Sequence, residues 1–154
     1  MNDVSTYEFS TDPARIDADR VHELVSRHTY WAKDRPRDVM DAAIAGSRPY
    51  GVFHSGTGVQ VAFARVVTDG ATFAWLADVI VDPGLRGQGI GKLLVAGVVA
   101  DLEPLGLRRT LLATADAHGL YEQFGWAPVN NEYRWMERRD AGTRTEAGTK
   151  EVSA

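Results

Sequence analysis

The sequence contains no cysteine. That removes disulfides, thiolate zinc sites, iron–sulfur clusters and a cysteine nucleophile together. It fits a reducing compartment, and a cytoplasmic location is the expectation. No run approaches the ~18 apolar residues of a membrane-spanning helix, and the opening MNDVSTYEFS is polar and acidic where a signal peptide is basic and then apolar. No membrane partner is expected. A basic block is missing as well. Lysine and arginine number 17 against 21 acidic residues, for a net charge of −4. Residues 138–154 carry +1, so the other 137 residues carry −5. An acidic body is a poor match for a polyanion, because phosphate neutralisation dominates nucleic-acid affinity. Arg108-Arg109 and Arg138-Arg139 alone do not change that reading. Finally, His22, His28, His54 and His118 form no i, i+4 pair and no HExxH, so no metal is expected.

What is present is one domain's worth of chain, 154 residues with 44% hydrophobic and 25% charged content. Residues 1–138 read as one folded unit. The stretch 139–154 lacks aromatics and apolar periodicity, and reads as a disordered tail. Within the folded unit, strand and helix patterns alternate. Tyr7 to Ser10 reads as a short strand, and helical spacing follows from Ile16 to Val25. A second short helix runs from Asp38 to Ala45. Tyr50 to His54 and Val59 to Val67 are β-rich and joined by Ser55-Gly56-Thr57-Gly58, which is hairpin chemistry. Thr72 to Val81 is almost wholly apolar, as a strand covered on both faces must be, and only Asp78 interrupts it. A longer helix begins near Ile90. Thr110 to Thr114, Ala117 to Phe124 and Tyr133 to Glu137 read as strand, helix and strand.

Between the apolar strand and the long helix lies Arg86-Gly87-Gln88-Gly89-Ile90-Gly91-Lys92. Free amides and the positive helix end favour an anion there, and glycines allow close approach. A Walker loop would need glycine at Arg86 and a hydroxyl at Leu93. A dinucleotide fingerprint would need glycine at Lys92 or Leu94. Neither fits. The spacing R-x-x-G-x-G, set by Arg86, Gly89 and Gly91, resembles the acyl-CoA pyrophosphate loop of the GCN5-related N-acetyltransferase (GNAT) superfamily. The block ADVIVDPGLRGQGIGKLL is similar to that family's strand–loop–helix segment, and Leu120-Tyr121-Glu122-Gln123-Phe124-Gly125-Trp126 to its second CoA-side segment.

The resemblance implies an α+β GNAT fold: a mixed, mostly antiparallel sheet of six to seven strands, flanked by about four helices and splayed at the central strand. It implies acetyl-CoA as co-substrate and a primary amine as acceptor, a small molecule before a protein. The backbone of Val79, Ile80 and Val81 would carry pantetheine, and Arg86, Gly87, Gln88, Gly89, Ile90, Gly91 and Lys92 the pyrophosphate. Tyr121 matches the family's proton donor to the departing sulfur. Asp78 stands where some members carry an acidic base, and is equally readable as a structural aspartate paired with an arginine such as Arg65. His118 is a second candidate base. Many members carry an acid on the next strand, which here reads Leu111-Leu112-Ala113-Thr114. The usual asparagine before the tyrosine is missing too, with Asp116 or Thr114 as stand-ins. The acceptor is expected near His28, Tyr30, Trp31, Trp75 and Asp78, although Tyr30 and Trp31 could equally cover the sheet. Pairing into a homodimer is an expectation by analogy. The competing reading is an acyl-CoA sensor with little catalysis.

Overall fold

The computed structural model describes residues 4–129 and 135–140. Their elements run β1 (Tyr7–Ser10), α1 (Ala18–His28), α2 (Arg37–Ala45), β2 (Arg48–His54), β3 (Gln60–Thr68), β4 (Phe73–Val81), α3 (Ile90–Leu102), β5 (Arg109–Leu111) and α4 (His118–Glu122). The strands form one sheet in the order β1-β2-β3-β4-β5. All neighbours are antiparallel except β4 and β5, which run parallel. The architecture is the expected α+β arrangement, with five strands among the described residues instead of six or seven. Residues 130–134 and the tail from 141 onward lie outside the described residues, and with them Tyr133 of the expected last strand; residues 135–140 carry no strand.

Local chemistry sets the helix ends. Asp17 caps α1 by accepting from the Arg20 amide at 3.1 Å, Asp19 sits in the first turn, and Arg27 and His28 sit in the last. Each charge opposes the nearby end of the helix dipole. The helical spacing from Ile16 to Val25 is read with its start at Asp12-Pro13; those residues instead form a separate single turn, Pro13–Arg15, capped by Asp12, and the helix itself begins at Ala18.

The sheet is covered on both faces. On one, Ile90, Leu94, Val95, Val98 and Leu102 of α3 pack on Tyr50, Val52, Ala62, Ala64, Val66, Ala74 and Leu76. On the other, Val21, Leu24 and Val25 of α1 and Met40 of α2 close over Phe63 and Ile80. Such double coverage explains the nearly unbroken apolar character of β3 and β4.

Two irregularities in β4 create the site. First, Phe63 pairs with Ile80 while Arg65 pairs with Ala77, so three steps of β4 oppose two of β3. This is a β-bulge, and Asp78 occupies it with φ at +53°. Residues 74 and 76 face α3 before the bulge, and residues 79 and 81 pack against that same core after it, while Ile80 turns to the α1 side. Second, β5 pairs only with Phe73, Ala74 and Trp75. From Leu76 to Val81 that side of β4 has no strand partner among the described residues. The expected splay at the central strand is therefore present, and its physical origin is a bulge beside a truncated neighbour.

Because Leu94 is fully buried where α3 meets the sheet, Leu94→Ala is expected to lower unfolding free energy by about 2–5 kcal/mol in urea titration.

Candidate active site

Where β4 and β5 part, a cavity of about 400 Å³ opens between the second half of β4, the start of α3, α4 and the segment after α1. Its floor is Val79, Ile80 and Val81. One end is formed by Leu85, Arg86, Gly87, Gly89, Ile90 and Gly91. Ala117, Leu120 and Tyr121 line it from α4 and the turn before that helix, and His28, Tyr30, Trp31 and Asp116 complete the lining.

The glycine-rich end is shaped for an anion. Gly87 and Gly89 have φ of 81° and 86°, a conformation that costs glycine little and other residues more. Gly89 is the residue before the helix, and the first intrahelical bond runs from the Leu93 amide to the Gly89 carbonyl at 3.0 Å. The amides of Ile90, Gly91 and Lys92 consequently have no acceptor within the helix. A Cβ at Gly87 would meet nothing within 4 Å, so the space above this part of the loop is open. Arg86 is exposed beside it and no ion pair engages it among the described residues. Asp82, the neighbouring acid, is already occupied: it accepts from the Gly84 amide at 2.9 Å and is ion-paired to Arg20.

Tyr121 is 3% exposed, its ring meeting Trp126 edge-on at 5.8 Å between centroids. Its hydroxyl has no hydrogen-bond partner among the described residues. Burial, with a further contribution from the Asp116 carboxylate, pushes the phenol up to about 12. At neutral pH it is protonated and free to donate.

Asp78 belongs to a different environment. Its side chain is 0% exposed and faces away from the cavity lining. It accepts from Arg35 at 2.6 and 3.3 Å, from Arg65 Nε at 2.6 Å and from Trp31 Nε1 at 3.3 Å. Burial alone would raise its carboxyl, but the two guanidiniums outweigh burial and hold it below the usual carboxylate range. Of the two readings left open by the sequence, this geometry supports the structural aspartate. Arg65 was the partner foreseen. Arg35, from the loop after α1, was not.

The remaining expectations divide. Tyr30 and Trp31 line the cavity and meet edge-on at 5.1 Å. Trp75 does not line it; it sits in the fully paired half of β4 between Val67 and Leu111. Gln88 and Lys92 belong to the loop without lining the cavity, and His118 lies on the far side of Tyr121 in a separate groove along β5. The apolar wall of Leu85, Ala117 and Leu120 escaped the sequence reading, since nothing distinguishes such residues from core. No group of three or more potential metal ligands occurs among the described residues.

Fold and cleft together place the chain in a class, and comparison with known proteins agrees. Residues 18–126 match the model of the Acetyltransferase (GNAT) family; the chain belongs to that family and is an acetyltransferase of it. A GNAT-family protein of Xanthomonas campestris pv. campestris superposes with a TM-score of 0.81 at 44% identity, over 89% of this chain and 95% of that one. The acetyltransferase-assigned protein FG08082 of Gibberella zeae is 32% identical over 133 residues, 75% of each chain. Serotonin N-acetyltransferase 2 of Oryza sativa subsp. japonica is 38% identical over 83 residues, 53% of this chain and 42% of the rice protein. The fold is shared with Mycobacterium tuberculosis Rv2747, solved in complex with CoA and NLQ (TM-score 0.67, 17% identity, 80% and 73% coverage).

The Asp78 cluster generates a pH-dependent expectation. A carboxyl depressed by folding contributes stability above its unfolded pKa of ~3.9, and that contribution disappears as pH falls through the folded value. Asp78→Asn leaves two half-buried guanidiniums uncompensated and is expected to cost about 3–5 kcal/mol at pH 7. The gap between wild type and variant should narrow in chemical denaturation below pH 3.

Proposed function

We propose that the protein transfers an acetyl group from acetyl-CoA to a primary amine, both bound in one ternary complex, with Tyr121 as the proton donor. The observation that carries this reading is the unpartnered Tyr121 hydroxyl in the wall of a cavity whose floor is unpaired β-strand and whose end is an open helix N-terminus.

The residues present fit acetyl-CoA. The amides of Ile90 to Lys92, the left-handed glycines and Arg86 suit a diphosphate. The open side of Val79 to Val81 offers peptide groups to an amide-bearing arm, in the manner of an added strand. The co-substrate supplies an activated thioester. Everything else falls to the chain. Val79 to Val81 hold the thioester beside Tyr121 and away from bulk water. Tyr121 gives its proton to the sulfur as the C–S bond breaks, and a phenol held near 12 by burial reaches that moment protonated.

The attacking nitrogen must be neutral, whereas an alkyl ammonium has a pKa of ~10.4. Asp78 is committed to Arg35, Arg65 and Trp31, so in this reading water at the cavity mouth takes the proton. Asp78 instead fixes the bulge and ties the Trp31 loop to it. The chain has no cysteine to carry an acyl group, which favours direct attack over a two-step relay. A sensor that only bound the thioester would have no use for a free, protonated donor at this point.

Tyr121→Phe is expected to lower kcat by about 10²- to 10⁴-fold, with the Kd for CoA changed less than about threefold. Stopped-flow thiol release and calorimetry measure the two quantities separately. Parallel loss of both would remove the donor role, and absence of CoA binding by the wild type would overturn the assignment.

A further inference from the structure

Part of the cavity lining consists of two aromatic rings, Tyr30 and Trp31, and one carboxylate, Asp116. Tyr30 is 46% exposed and stands edge-on to Trp31. Asp116 lines the same wall from the loop between β5 and α4. Its amide donates to Thr114 Oγ1 at 3.4 Å, but its carboxylate has no hydrogen bond or ion pair among the described residues. That carboxylate acts on the hydroxyls of both Tyr30 and Tyr121, adding in each case to the upward shift caused by burial. It therefore lies within electrostatic reach of the reacting centre and of the aromatic pair together. The other charged or titratable groups lining the cavity are Arg86, beside the glycine loop, and His28. Asp78, the other acid in this region, is neutralised by two arginines.

An unpaired carboxylate that shares a cavity with aromatic rings attracts a cation. In the acetyl-transfer reading the attacking nitrogen loses its proton to water and reacts neutral, whereas a nitrogen ion-paired to Asp116 is held as ammonium. The nitrogen held at Asp116 is in that reading a second one. We propose, building on the acetyl-transfer reading, that the acceptor is a small diamine or polyamine. One of its amines is held as ammonium by Asp116 and the Tyr30–Trp31 pair while the other reaches the thioester. The same carboxylate repels an acceptor whose far end is anionic, such as a free amino acid.

Three acceptors of equal chain length isolate the far-end charge: 1,4-diaminobutane (positive), n-butylamine (neutral) and 4-aminobutanoate (negative). The expected order of kcat/KM is diaminobutane, butylamine, aminobutanoate, with steps of roughly fivefold, as a partly exposed charge pair provides. Asp116→Asn should flatten that order by raising KM for diaminobutane and lowering it for aminobutanoate, with KM for acetyl-CoA unchanged. Tyr30→Ala should weaken diaminobutane alone. Titrating diaminobutane calorimetrically into the CoA-saturated protein reads the same contact without turnover. Binding weakened roughly fivefold by Asp116→Asn supports the proposal. Binding that is absent or unchanged in the variant overturns it, as does aminobutanoate turning over as well as butylamine, or a basic peptide outcompeting every diamine. A protein that binds no CoA before any amine is added fails at the earlier step, and both readings fall together.

Discussion

The bulge in β4 is the constraint on which the rest of the site depends. A residue other than glycine at φ +53° is unfavourable in isolation, and it persists here because its side chain is held from three directions. Arg65 reaches Asp78 from the adjacent strand, Arg35 and Trp31 from the loop after α1. An ion pair of this kind is no guarantee of net stability, since desolvation opposes the attraction. Its effect is geometric. It keeps one extra residue in β4 opposite β3 and ties the aromatic end of the cavity to the floor.

From that point the site assembles by elimination of partners. β5 is only three residues long, so among the described residues the second half of β4 has a bare edge. The glycines that follow keep the amides at the start of α3 uncovered, and α4 brings a buried phenol whose hydroxyl finds no neighbour. Open amides, a bare strand edge and a phenol free to donate around one cavity are the physical mark of a place suited to a ligand. Its charged lining is mixed: an arginine and a helix N-terminus beside the glycines, and a carboxylate that shares the lining with aromatic rings.

The glycine loop and Tyr121 were legible from sequence because each sits in a contiguous block whose local pattern carries its meaning. Part of the core was legible for a similar reason, since periodicity separates the Val21, Leu24 and Val25 stripe of α1 from its polar face. What the pattern could not supply was pairing across distance. Asp78 lies 43 residues from Arg35 in the chain, and no local rule says which of two roles a buried acid plays until its partners are known. Thr110 to Thr114 reads as a strand, yet only Arg109 to Leu111 pair, because splaying removes the neighbour that Leu112 to Thr114 would need. Trp75 is near the site in sequence but belongs to the zipped half of its strand. Asp116 is an ordinary exposed acid until the fold sets it opposite Tyr30.

The alternation of β4 across the bulge has an evolutionary corollary. Since residues 74 and 76 before it and 79 and 81 after it share one face, losing the one extra position would restore plain alternation and leave Val79 and Val81 toward α3 and Ile80 toward α1. The faces of the strand could therefore survive such a deletion, whereas the grip on Arg35, Arg65 and Trp31 could not. What selection has to retain at this point is the carboxylate and not the alternation.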